Sequence, residues 1–275
     1  MKQKKDRVSF ALSLLTHIAA AITILCLLFI IAYILIRGVP NLKPSLFEWE
    51  YNTDNVSMMP AIINTIIVVL MTLVIAAPIG IFSAIYLVEY AKRGSKLVKV
   101  ILLTTETLSG IPSIVYGLFG SLMFVISMKM GLSIMAGSLT LAIMVLPTIM
   151  RTTQEALVAV PDSYREGSFG LGAGKLRTIF RIILPSAIPG IMSGIVLSMG
   201  RIVGETAALI YTSGTVAQVC TNIFAPGSTL AVHMYRLMSE GLYTEQACAV
   251  AVVLLVFVIV MNSLSSYLGR KLVKG

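Results

Sequence analysis

An arginine and a glutamate stand four residues apart in an otherwise uncharged run: Ser198-Met199-Gly200-Arg201-Ile202-Val203-Gly204-Glu205-Thr206-Ala207-Ala208. On a helix, residues i and i+4 share a face, so Arg201 and Glu205 are placed to pair. A guanidinium presents a planar fork of donors that fits two oxygens of a phosphate or a similar oxyanion. Glu205 would hold that guanidinium in place, or keep the anion's affinity low enough for release. The other reading is a structural ion pair that locks two helices together. The two roles can coexist, because Gly200 and Gly204 would let another helix approach on an adjacent face. No nucleophile–base constellation accompanies the pair. His17 and His233 are far apart and unpaired, and no Cys/His cluster has metal-ligand spacing. An external disulfide between Cys220 and Cys248 stays open, since sequence does not supply the geometry.

A second constellation is polar and punctuated by glycine: Arg165-Glu166-Gly167-Ser168-Phe169-Gly170-Leu171-Gly172, then nine residues, then Ile182-Ile183-Leu184-Pro185. Pro161, Asp162 and Ser163 have the chemistry of a helix start. A short helix through Phe169 leaves Tyr164, Ser168 and Leu171 near one face. Gly170, Gly172 and Gly174 permit a sharp turn. Lys175 to Ile183 forms a second short helix, which Pro185 ends. Helix, turn and helix make a compact projection suited to a groove on a soluble protein, with Glu166 offering a charge-assisted contact at its rim. A connector this long without a function is uncommon.

The elements that carry these residues are membrane spans. The chain is 57% hydrophobic and 12% charged, with a mean hydropathy of +0.93, whereas a soluble domain has roughly a quarter of its residues charged. The net charge of +9 lies mainly beside apolar runs, so it is not a nucleic-acid signal. Apolar stretches at 14–36, 60–88, 100–128, 132–150, 186–210 and 247–268 each approach or exceed the ~20 residues that a spanning helix needs. The first has no convincing cleavage site and reads as a retained helix. Only helices satisfy their backbone locally in lipid, so the fold class is an all-α polytopic membrane protein. Gly110, Pro112, Ser113, Gly117 and Gly120 in the third span suggest close packing and a kink.

Basic clusters alternate with poorer loops. Lys2, Lys4, Lys5 and Arg7, then Lys92, Arg93, Lys96 and Lys99, then 151–181, then Arg270, Lys271 and Lys274 fall on one side when six spans leave both termini cytosolic. The organisation is a cytosolic tail at 1–13, a first transmembrane helix at 14–37, an external loop at 38–59, a membrane domain at 60–268 and a cytosolic tail at 269–275. The polar knob at 161–185 is then cytosolic, between the fourth and fifth spans. Counted from Pro185 at about 1.5 Å per residue, Arg201 lies ~24 Å into its span. Charges at such depth cost at least ~2.5 kcal/mol each on insertion scales, and they usually face a cavity and serve function. Glu106 lines the path or snorkels to the surface, and Asn64 and Thr65 read as interhelical hydrogen-bonders. The 211–246 loop holds an amphipathic stretch from Leu230 to Leu242, which is re-entrant, interfacial, a docking surface or an ordinary connector.

The knob resembles the coupling loop of ABC importer permeases, whose pattern is Glu-Ala-Ala, three residues, Gly, nine residues, Ile-x-Leu-Pro. Glu166, Gly172, Ile182, Leu184 and Pro185 fall on that pattern, while Gly167 and Ser168 replace the alanines. Gly-Arg-x-x-Gly-Glu-Thr-Ala-Ala-Leu at 200–209, the 109–118 segment and Arg151-Thr152-Thr153 resemble the PstA family of phosphate-importer permeases. The resemblance covers about residues 60–268 and implies the type I ABC importer permease fold. It implies Arg201, Glu205 and Arg151 on the substrate path, with Arg151 explained nearly as well by basic flanking of a membrane end. It implies Tyr164, Glu166, Gly172, Leu184 and Pro185 as ATPase-coupling residues. Its implied partners are a PstC-like sister permease, a PstB-like ATPase dimer and a PstS-like phosphate-binding protein, in a bacterial or archaeal cell membrane. The chain has no Gly-x-x-x-x-Gly-Lys-Ser/Thr loop, so ATP-Mg belongs to the partner ATPase and this chain needs no cofactor. Permeases for sulfate or molybdate, a secondary anion transporter and a phosphate sensor are the competing functions.

Overall fold

A computed structural model describes residues 7–92, 94–241 and 243–274 of the chain. Lys2, Lys4, Lys5, Arg93 and Leu242, used in the reading above, lie outside the described residues, as do the side chains of Arg270, Lys271 and Lys274. The described residues form helices α1 (Arg7–Gly38), α2 (Met59–Ile85), α3 (Lys96–Ser109), α4 (Ser113–Gly120), α5 (Ile134–Val158), α6 (Asp162–Gly170), α7 (Lys175–Thr178), α8 (Leu184–Gly204), α9 (Ala207–Thr212), α10 (Leu230–Glu240) and α11 (Thr244–Lys274). Five helical segments are long and apolar enough to cross a membrane: Ser9–Asn41, Met59–Tyr90, Ile134–Val158, Lys175–Gly204 and Thr244–Tyr267. The sixth expected span is broken. Val98–Ser109 and Ser113–Ser127 meet at 104°, a far larger change of direction than a kink. Pro112 removes an amide donor and drives the residue before it out of helical geometry. The Tyr116 hydroxyl donates to the Leu108 carbonyl at 2.7 Å across the bend, and so satisfies one of the acceptors the break frees.

The centre of the bundle is α2 packed on α5, with Val68, Val69, Leu141, Val145 and Ile149 fully buried. Small residues set the closest approaches. A Cβ on Gly117 of α4 would lie 2.8 Å from the Ala208 Cα of α9, and one on Gly80 of α2 would lie 2.9 Å from an Ile149 methyl. Gly120 meets Thr140 in the same way. The expectation of close packing therefore holds at Gly117 and Gly120. Gly200 and Gly204 behave otherwise: neither has a neighbour within 4 Å, so they admit open space and not a helix. α1 stands apart, its apolar surface exposed along its length until Gly38 meets Cys248 and Val252 of α11.

At one end of the bundle, residues 39–58, 213–229 and α10 form a cap. Asn64 donates to the Gln218 carbonyl at 2.8 Å and accepts from the Cys220 amide at 2.9 Å. Thr65 accepts from the Leu230 amide at 2.8 Å. Both residues thus act as hydrogen-bonders, tying α2 to the long loop. Within α10, Leu230, Val232, His233 and Leu237 are buried, while Tyr235 and Met238 face outward. Cys26, Cys220 and Cys248 are all free. The opposite end carries the knob.

Candidate functional site

Arg201 lies in the last turn of α8, which ends at Gly204. Glu205 is extended, with φ −74° and ψ 130°, and a new helix starts at Ala207. The expected shared helix face is therefore interrupted. The Glu205 carboxylate is buried, and its Oε1 accepts from the Ala208 amide at 3.1 Å, capping α9. Arg201 and Glu205 form no ion pair, and the half-buried guanidinium has no carboxylate within salt-bridge range among the described residues.

That guanidinium lines a cavity of about 810 Å³ between α8 and α11. Its walls are mainly apolar, with Pro189, Met192, Val196 and Leu197 of α8 among them, and the polar groups are Ser193 and Arg201 from α8 and Asn262 and Ser266 from α11. The absent side chain at Gly200 leaves room immediately beside the arginine. Hydroxyl, amide and guanidinium groups facing one space can together satisfy the several oxygens of a tetrahedral anion. Sequence reasoning missed Ser193, Asn262 and Ser266. The signal was present, for Asn262 and Ser266 are one helical turn apart in an apolar span, but serine and asparagine in a span read equally well as interhelical hydrogen-bonders.

Arg151 occupies a second cavity, of about 500 Å³, with Thr105, Glu106, Thr148, Thr152 and Glu155 on its walls. Leu197 borders both cavities, so they adjoin. Unlike Arg201, Arg151 is already matched: its Nε donates to Glu155 at 3.1 Å, and Nη1 lies 4.0 Å from Glu106. Glu106 thus faces the cavity.

The knob has the anticipated form, with corrections. α6 runs Asp162–Gly170, and Gly172 takes φ +80°, a left-handed conformation that favours glycine. Tyr164 and Glu166 are exposed, and Leu171 is 91% exposed at the tip. Ser168 does not join them: it is buried, its hydroxyl 2.8 Å from that of Thr178. Pro185 is exposed but ends nothing. The helix continues from Lys175 to Gly204 through a wide π turn at Ile179–Ile183, which accommodates the missing proline donor. Leu184 packs against the cluster of Leu157, Ile179 and Ile183, so its side chain faces inward. Phe169, Leu176 and Phe180 extend the exposed apolar surface.

The binding-protein-dependent transport system inner membrane component family matches residues 76–274. The probable ABC transporter permease protein YqgI of Bacillus subtilis is 33% identical over 94% of this chain and 93% of its own length. The phosphate transport system permease protein PstA of Yersinia pestis is 33% identical over 98% of this chain and 92% of its own. A chain in the crystal structure of a bacterial alginate ABC transporter, in complex with an alginate pentasaccharide-bound periplasmic protein, superposes with a TM-score of 0.68. It covers 98% of this chain and 99% of that one at 16% identity, a likeness of fold. With helical architecture, knob and full-length relatives in agreement, the chain belongs to the family of inner membrane components of binding-protein-dependent transport systems.

Proposed function

We propose that this chain is the transmembrane permease subunit of an ATP-driven phosphate importer. The observation that carries the reading is the unmatched Arg201 guanidinium, which faces a cavity with a few polar groups on mainly apolar walls, in a chain whose relatives include phosphate permeases. An arginine retained in hydrocarbon without a carboxylate partner is expensive, and an anion that passes it offsets that cost. Arg201 attracts and orients phosphate, while Ser193, Asn262 and Ser266 complete its hydrogen bonds. Arg151, already held by Glu106 and Glu155, is the weaker path residue, because two carboxylates outnumber its single charge in the inner cavity. Glu205 supports the path indirectly by fixing the break after Gly204.

The knob end faces the cytosol. Lys92, Lys96, Lys99, Lys175, Arg177 and Arg181 cluster there, whereas Glu48, Glu50 and Asp54 lie at the cap. Both termini are then cytosolic, and the protein is multi-pass in a bacterial or archaeal cell membrane. Tyr164, Glu166 and Leu171, positioned by the Gly172 turn, dock on a PstB-like ATPase, which hydrolyses ATP-Mg. A PstC-like sister subunit completes the path, and a PstS-like binding protein delivers phosphate to the cap. In proteoliposomes holding the whole assembly, ATP should drive uptake of radiolabelled phosphate. Arg201→Gln should abolish uptake while leaving assembly intact. Undiminished uptake by that variant, or equal competition by sulfate, would overturn the assignment.

A further inference from the structure

Among the described residues the most completely coordinated charge is Arg165, which neither the cavity nor the docking surface uses. Its side chain is 15% exposed and that of its partner Glu89 is 9% exposed. Nε and Nη2 both donate to Glu89 Oε1, at 3.1 and 2.8 Å. Nη2 also donates to the Leu157 carbonyl at 3.0 Å. Nη1 donates to the Val160 carbonyl at 2.9 Å and to Asp162 Oδ1 at 3.2 Å. Three elements meet on one guanidinium: the wide turn Tyr86–Tyr90 that prolongs α2, the C-terminal end of α5, and α6. A second tie runs beside it, for the Lys175 ammonium at the start of α7 sits 4.8 Å from the centre of the Tyr90 ring. Consecutive residues of α2's extension therefore hold both helices of the knob.

The joints around α6 explain why such a tie matters. Toward α5 the chain is only Ala159-Val160-Pro161, and toward α7 it passes Leu171-Gly172-Ala173-Gly174, with Gly172 left-handed and open space around Gly170, Gly172 and Gly174. A helix hung between such joints would swivel under load and leave the spans where they were. We propose that the Arg165–Glu89 pair is a strut that makes α6 move as one body with the inner ends of α2 and α5. Arg165 and Glu89 are positioning residues for energy coupling, distinct from the exposed residues that would touch the ATPase. The proposal rests on the reading of the knob as the ATPase dock.

The test is the double variant Glu89→Gln/Arg165→Gln, which removes both charges and so leaves neither buried alone. Reconstituted with the whole assembly, it should bind the ATPase in the same ratio as the unaltered chain. Phosphate moved per ATP hydrolysed should fall roughly fivefold or more, the scale of an allosteric coupling. Arg165→Lys, which keeps the charge but loses the fork, should fall between the two and guards against a double variant that does not fold. Hydrogen exchange in the purified chain reads the strut without transport: amides of Asp162–Gly170 should exchange faster in the double variant. Unchanged exchange and unchanged phosphate per ATP would overturn the strut, and lost ATPase binding would also overturn it by making Arg165 part of the docking face. An unaltered assembly that moves no phosphate on ATP would instead sink the importer reading, with the exchange result still deciding the strut.

Discussion

Arg201 and Glu205 stand on opposite sides of a helix break: the arginine ends α8 facing the cavity, and the glutamate turns away to accept the Ala208 amide at 3.1 Å. Their sequence spacing suits an ion pair, yet the break gives each a separate task. Glu205→Gln retains an acceptor oxygen and should leave thermal stability close to that of the unaltered chain. Glu205→Ala removes the cap and should cost about 1 kcal/mol. Because the two residues do not touch, combining Arg201→Gln with either change should give additive effects on unfolding. A measured coupling above ~0.5 kcal/mol would show that they pair after all.

The glycines divide into two physical classes, and substitution should separate them. Gly117→Leu drives a side chain into the Ala208 backbone and should destabilise the chain by about 1–3 kcal/mol, as overpacking does. Gly200→Ala meets nothing within 4 Å and should stabilise α8 by about 0.5–1 kcal/mol. Its methyl group nevertheless narrows the space beside Arg201, so transport should fall as stability rises. Thermal unfolding in detergent and uptake in liposomes, measured on the same preparations, check both halves.

The knob offers a cleaner contrast. Leu171 is 91% exposed, so Leu171→Glu should change stability by less than ~0.5 kcal/mol while weakening co-purification of the ATPase. Leu184 packs inward, and Leu184→Ala should cost stability first. If Leu184→Ala released the ATPase from a chain of normal stability, the residue would belong to the docking face.

How far the sequence could be read follows from the kind of signal each feature leaves. The span regions were legible because lipid imposes length and apolarity on every one, and the α6 start because Pro161 and Asp162 announce it. The 104° break was visible only as Gly110 and Pro112, since a proline in a span reports strain and not its angle. Periodicity assumed a continuous helix across Gly204, so it joined Arg201 to Glu205. Ser168 failed similarly: only the packing of α6 on α7 decides that its hydroxyl meets Thr178. Arg165 left no readable mark, because Glu89 is far from it in sequence and an arginine beside an exposed glutamate looks like surface.

His233 gives the chain a pH-dependent cap. The ring is fully buried in α10, which is outside the spans, and neither ring nitrogen makes a well-formed hydrogen bond among the described residues. Burial first, and then the neighbouring Arg236 charge, lower its pKa from 6.5 to about 4, while the Val56 backbone pulls weakly the other way. Tyr51 stands edge-on at 6.0 Å and also stacks on Arg236, whose Nε lies 3.7 Å from Glu240. The folded state holds the neutral ring, so the unfolded chain binds the extra proton below pH 6.5. Stability from this group is therefore complete above pH 6.5 and falls by about 1.4 kcal/mol per unit as the pH drops toward 4. Unfolding of the purified chain should be insensitive to pH between 7 and 8 and progressively easier from pH 6.5 to 4.5. His233→Phe keeps the buried ring and removes the proton site, so the decline over that window should flatten. An equal decline in both proteins would assign the acid sensitivity to other groups and leave His233 as a packing residue.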